Sequence, residues 1–222
     1  MPRIISRWDD DLTHPVEAAK LFATISYFMQ GTPYISQGEE LGMSNARYAS
    51  LDQYTDVETL NAYKDLVIDR KLMTEKAFMA SAMRFGRDNV RAPMQWNAQK
   101  NAGFTTGKPW LPLCANYETV NAENQIHDSN SVFSFYKELI RIRKHSEFST
   151  LIEQGTYTLL EPDHPQLFIY ERKTKDKGLL VLANYGAAPV TYPLNHKIKK
   201  VILSTHTHPI TSSLDLKPYD AL

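Results

Sequence analysis

The sequence predicts an α/β region with the grammar of a (β/α) barrel, followed by a small antiparallel β-sandwich. Three observations carry this. A helical pattern from Thr13 leads through a short β-branched and aromatic segment into the acids Glu39 and Glu40. That is the order of a barrel repeat, whose functional groups sit at the carboxyl ends of its strands. After Ser149 the apolar period changes from 3.6 to 2, the mark of strands.

In chain order, residues 1–11 offer no helix start and end in three acids, Asp9, Asp10 and Asp11. From Thr13, Pro15 sits in a first turn, and Ala18, Leu21, Phe22, Ile25, Phe28 and Met29 recur at helical spacing up to Gly31, a stop signal. Thr32–Gln37 reads as a buried strand. Helices are expected over about 57–71 and 74–83. Arg84-Phe85-Gly86-Arg87-Asp88-Asn89-Val90-Arg91-Ala92-Pro93-Met94-Gln95-Trp96 reads as an ordered polar loop, with Gly86 for a turn and Pro93 biasing Ala92 away from helix. Asn97–Asn130 shows little periodicity, yet Phe104, Trp110 and Tyr117 argue that it packs, as a functional loop of that length would. Ser131 precedes a helix whose apolar face is Val132, Phe135, Tyr136, Leu139 and Ile140, with Arg141, Arg143, Lys144 and His145 where the helix dipole favours cations. Residues 155–160, 167–172, 179–183 and 201–204 read as strands separated by turns, a small sandwich.

Composition bounds the function. The 222 residues suffice for one large domain or two smaller ones, and 25 basic residues balance 25 acidic ones. No basic block suggests nucleic acid or a membrane surface, and no apolar run is long enough to span a bilayer. The N-terminus lacks the apolar core of a signal peptide, so the chain reads as cytoplasmic. A lone cysteine, Cys114, excludes an internal disulfide framework and a cysteine-based zinc site.

Several constellations were weighed for chemistry. In the 84–96 loop, arginine forks suit hydroxyl or carboxylate recognition and Trp96 suits a flat ligand such as a sugar ring. Composition alone favours a structural knot in which Arg and Asp pair and Trp96 fills a core gap. Glu39 and Glu40 are adjacent after a strand and point apart, which disfavours an acid–base pair flanking one bond. Asp9–Asp11 could attract a divalent cation, but a solvated loop is the simpler reading. His206 and His208 alternate like ligands, with His196 nearby, yet no acidic or cysteine partner is evident for zinc. Cys114 has no neighbouring base to make it a nucleophile.

The residues carry a resemblance. Pro2-Arg3-Ile4-Ile5-Ser6-Arg7, Gly31–Met43, Asp56-Val57-Glu58, the 84–96 loop, Asn101–Trp110 and Phe135–Ile140 stand in the order of glycoside hydrolase family 13. Within it the chain resembles the carboxyl-terminal part of the oligo-1,6-glucosidase-like α-glucosidases. That group includes dextran glucosidase, trehalose-6-phosphate hydrolase and the sucrose isomerases. The resemblance implies the last strand and closing helices of a TIM (β/α)8 barrel followed by a small antiparallel β-sandwich. It implies a division into residues 1–150, an incomplete catalytic barrel, and 151–222, the sandwich. Ser36 departs from the tyrosine of many members without placing the family in doubt.

The family retains anomeric configuration with an aspartate nucleophile and a glutamate acid/base, and a third aspartate lies in an Asn-His-Asp motif. By the resemblance all three lie upstream of Pro2-Arg3, so no residue here is assigned as catalytic. Met1 is then expected to be an internal methionine of a longer reading frame. The resemblance implies substrate contacts at Arg87, on the non-reducing-end glucose of the −1 subsite, at the neighbouring Arg91, and at Glu58 on the aglycone side. Asp88 and Arg84 are expected to be scaffolding, and Glu39 and Glu40 to shape the site floor. No cofactor or metal is implied. The partner is an oligosaccharide or disaccharide substrate, completed by the missing barrel half. The alternatives are a non-catalytic carbohydrate-binding or interaction module, and a fragment of a trehalose-6-phosphate hydrolase or sucrose isomerase.

Because a barrel has no free edge, a lone last strand and the apolar faces of helices 14–30 and 132–145 are expected to be exposed. Expressed alone, the chain should be poorly soluble and should not hydrolyse aryl α-glucosides. Turnover above background by a pure preparation would overturn this.

Overall fold

The computed structural model describes residues 2–8, 13–195, 197–209 and 211–222. Asp9–Asp11 and His196 lie outside the described residues. In chain order the helices are α1 (Ile4–Trp8), α2 (Pro15–Phe28), α3 (Val57–Tyr63), α4 (Glu75–Phe85), α5 (Asp88–Arg91), α6 (Ala122–Gln125), α7 (Val132–His145) and α8 (Ser149–Gln154). The strands are β1 (Thr156–Leu160), β2 (Leu167–Lys173), β3 (Gly178–Asn184), β4 (Val190–Pro193), β5 (Ser213–Leu216) and β6 (Asp220–Ala221). They form two compact units, one from the residues up to Thr13 with Ile35–Phe133, the other from His14–Tyr34 with Ser134–Leu222.

In the first unit short helices and long loops are held by side chains that substitute for a backbone ladder. Asp56 caps α3 by accepting from the Thr59 amide at 3.1 Å, and Thr74 caps α4 by accepting from Ala77 at 3.2 Å. Beyond α3 the chain continues as a π-helical turn over Lys64–Asp69. The stretch from 97 to 130 is ordered in the same way. Asn101 donates to the Thr105 and Gly107 carbonyls at 2.9 and 2.8 Å, and Asn121 caps α6 at 2.9 Å. Gln125 donates to Leu41 at 2.8 Å and accepts from the Phe133 amide at 3.1 Å. Two apolar clusters fill the unit, one around Tyr48, Tyr54, Phe78 and Leu111, the other around Leu41, Met43, Met94 and Cys114.

The second unit is a sandwich. β1, β2, β3 and β6 form an antiparallel sheet in that order, and β4 pairs with β5. Leu167, Ile169 and Leu182 of the first sheet meet Leu214 and Leu216 of the second. The carboxyl end of α2 is plugged by cations and a phenol. Tyr170 donates to the Ile25 carbonyl at 2.7 Å, Arg172 to Phe28 at 2.8 Å, and Arg143 to Tyr27, Met29 and Gly31. These are the orphan carbonyls of a helix end, where positive charge is favoured. Burial pushes the Tyr170 phenol well above its ordinary range.

Several expectations are corrected. Thr32–Gln37 belongs to no sheet, its last residue lies in a turn, and Tyr34 is 88% exposed. A barrel strand owes its ladder and its burial to strands on both sides, and the described residues supply neither. Val201–Ser204 also forms no ladder. Strands β4, β5 and β6 are too short to have been read from period alone. The 84–96 segment is not all loop, since α4 runs to Phe85 and α5 makes one turn over Asp88–Arg91. α2 stops at Phe28, short of Gly31. Finally, α2 and α7 do not expose their apolar faces. Ala18, Leu21 and Phe28, like Tyr136, Leu139 and Ile142, are buried, and Tyr27 meets Tyr136 edge to face at 5.7 Å.

Arg172 is fully buried and also donates to Gly155 at 2.6 Å. Arg172→Met should leave the Phe28 and Gly155 carbonyls unpaired and cost roughly 3 kcal/mol, read from urea unfolding. A loss below roughly 1 kcal/mol would mean that these carbonyls find other partners.

Candidate functional site

The site grows from one buried carboxylate in the first unit. Asp88 is fully buried at the start of α5. It accepts the Thr55 amide at 2.7 Å, the Asp56 amide at 2.9 Å and the Arg91 guanidinium at 3.1 Å. A buried carboxylate is tolerated only with such charge-assisted bonds. Because Thr55 and Asp56 lead into α3, this single group ties the 84–91 segment to the segment that presents Glu58. The carbonyls behind it are held by two amides. Asn89 donates to Gly86 at 3.0 Å and Met83 at 3.1 Å, and Asn45 to Met83 at 3.1 Å and Arg84 at 2.9 Å.

Gly86 serves this loop differently from its expected role. Its φ of −59° and ψ of 143° are open to any residue, but a Cβ would stand 2.6 Å from the Ala82 carbonyl oxygen. The position is restricted by space.

Arg91 bridges two acids, Asp88 and Asp56, the latter at 3.2 Å. Burial acts to raise the Asp56 carboxyl. The two Thr59 hydrogen bonds and the charges of Arg91 and Arg87 outweigh it and hold the group below its ordinary value. Arg91 is therefore engaged as the knot reading anticipated. Arg87 and Glu58 differ. They form an ion pair at 2.6 Å while 54% and 67% exposed. An exposed pair contributes little stability, so its partners can be exchanged for a ligand's hydroxyls at small cost. Trp96 fills no core gap, for it is 51% exposed.

The remaining candidates sort by their contacts. Glu39 closes its own turn by accepting from the Ser36 amide at 3.2 Å, and Gly38 and Gly42, at φ 82° and 68°, bracket that turn. Glu40 turns its Oε2 inward with no hydrogen-bond partner among the described residues. Arg3 donates its amide to Asn45 at 2.8 Å and its guanidinium to the Gln37 and Val90 carbonyls, and burial pulls its pKa down. A cavity of about 190 Å³ opens beside Pro2, Arg3, Ser36 and Glu39. The anchoring roles of Arg3 and Asn45 leave no signal in sequence spacing, because each acts on residues distant along the chain.

Cys114 is buried, its thiol pushed up to about 11 by burial, which disqualifies it as a nucleophile. His208 does have an acidic partner, contrary to expectation: its Nε2 lies 3.0 Å from Asp220, and both are buried. Among the described residues no three metal-ligating side chains cluster, and no helix is long and apolar enough to cross a membrane.

Residues 1–153 match the alpha-amylase family in its catalytic domain, and the chain belongs to that family, glycoside hydrolase family 13. It is 40% identical over 227 residues to an oligo-1,6-glucosidase of Bacillus cereus, covering 100% of this chain and 40% of that protein. It is 38% identical over 228 residues to the trehalose-6-phosphate hydrolase of Bacillus subtilis, with the same coverage. Among solved structures it resembles the trehalose-6-phosphate hydrolase of Bacillus licheniformis, at a TM-score of 0.90 and 38% identity over 100% of this chain and 40% of that one. It also resembles the isomaltulose synthase of Klebsiella sp. LX3, at 0.93 and 35% over 99% and 40%. The chain thus spans about 40% of the length of these relatives. Its fold is the closing part of a TIM (β/α)8 barrel followed by a small antiparallel β-sandwich.

The Asp56 balance has a pH signature. Its folded pKa lies below the ordinary 3.8, so the stability it contributes is present above that value and is lost as pH falls through the depressed one. Asp56→Asn keeps a capping side chain but cannot ionise. The variant should be less stable by roughly 1 kcal/mol near neutrality, since Arg91 is partly exposed. Urea titrations should show the gap closing in acid. A gap that persists to strong acid would contradict the charge assignment.

Proposed function

We propose that this chain forms part of a cytoplasmic, retaining α-glucosidase acting on the α-glucosidic bonds of short oligosaccharides, in the manner of oligo-1,6-glucosidases. Residues 1–150 are read as the carboxyl-terminal part of the catalytic barrel and 151–222 as the sandwich. The observation that supports the reading most is the exposed Arg87–Glu58 pair mounted on the buried acids Asp88 and Asp56, which Arg91 bridges. A well-bonded base under two exposed, oppositely charged groups suits a sugar, whose hydroxyls both donate and accept.

In this reading Arg87 donates to a hydroxyl of the non-reducing-end glucose, beside the anomeric carbon, and Glu58 accepts from the sugar on the aglycone side. Arg91 holds the acids that carry them and contacts substrate more remotely. The aspartate nucleophile and glutamate acid/base belong to the part of the relatives that precedes this chain, so bond cleavage requires that part. The substrate is the partner that this half-site takes.

The test joins the chain to the portion of the Bacillus cereus oligo-1,6-glucosidase that aligns ahead of Pro2. The hybrid should melt cooperatively and hydrolyse an aryl α-glucoside with retention, and Arg87→Ala should lower kcat/KM by roughly a hundredfold. A cooperatively folded hybrid without turnover, or one indifferent to Arg87→Ala, would sink the proposal.

A further inference from the structure

A cavity of the second unit contains none of the residues proposed for sugar. It measures about 470 Å³, within the range of small-ligand sites. Leu179–Leu182 of β3, Val201–Leu203 and Leu214 are among the residues that line it.

The polar groups lining the cavity are unevenly matched. Lys177 and Lys200 are engaged with Glu147, at 3.3 and 3.1 Å, and lie over the Phe148 ring at 5.8 and 4.8 Å. Glu171 faces Lys173 at 3.8 Å. Lys197 and Lys199 then remain against Asp176, with no hydrogen bond or ion pair to any of the three among the described residues. Apolar walls and surplus cations favour a ligand with an apolar body and an acceptor-only anionic head.

We propose that this cavity binds a single-chain amphipathic carboxylate. Its tail lies between Leu179–Leu182 and Val201–Leu203, and its head lies at Lys197 and Lys199. The site is independent of the glucosidase reading.

Fluorescence titration with cis-parinarate tests it, on the 222-residue chain or, where that chain does not melt cooperatively, on the cooperatively melting hybrid described above. Binding should saturate at one probe per chain, and dodecanoate should displace the probe about fivefold more effectively than dodecanol, the margin of an exposed charge contact. Maltose should not displace it. The double substitution Lys197→Glu with Lys199→Glu changes two exposed side chains and should leave the fold intact while weakening binding about tenfold. Leu203→Arg should abolish it. Absence of saturable binding would overturn the proposal, as would equal displacement by acid and alcohol or indifference to the lysine substitutions.

Discussion

The candidate site depends on the satisfaction of one carboxylate. Asp88 has no exposure, and amide, hydroxyl and guanidinium donors from two separate segments converge on it. Removing any of them would leave a buried charge short of partners, so the geometry around it has little freedom. That rigidity is what sets Glu58, in the first turn of α3, against Arg87, just ahead of α5. The inner pairs are structural because their acids are buried. The outer pair is available because both of its partners are exposed.

The second unit solves a different problem with similar means. A helix that ends inside a protein must find partners for its last carbonyls, and α2 finds them in Tyr170, Arg143 and Arg172. Two of these come from a strand and one from α7, so the end of α2 is registered to both. Thr32–Gln37, by contrast, is largely exposed and without a ladder.

Arg87 and Arg91 are neighbours in sequence and both are partly exposed, but they meet different partners. Arg91 is divided between two buried acids, whereas Arg87 pairs with an exposed one. The contrast between them lies in the burial of those partners, which spacing along the chain does not encode.

By itself the sequence determined the helices of long apolar period, α2, α4 and α7, and the strands β1, β2 and β3, because their periodicity is a local property. It also determined the family, through motifs collinear over nearly the whole chain, and with it Arg87, Arg91 and Glu58 as the residues to inspect. It did not reveal β4, β5 and β6, which are too short for a period to show. Nor could it show that Thr32–Gln37 and Val201–Ser204 would lack ladders, since a strand exists only by pairing with residues distant in the chain. Tertiary structure alone decided that Arg91 is bound to Asp56 and Asp88, that Arg87 reaches Glu58 in the open, and that Trp96 faces solvent. The physical reason is the same in each case. Hydrogen bonding and burial depend on what folding brings together, and residues 33 or 35 positions apart, such as Thr55 and Asp88 or Asp56 and Arg91, carry no sign of it in their spacing.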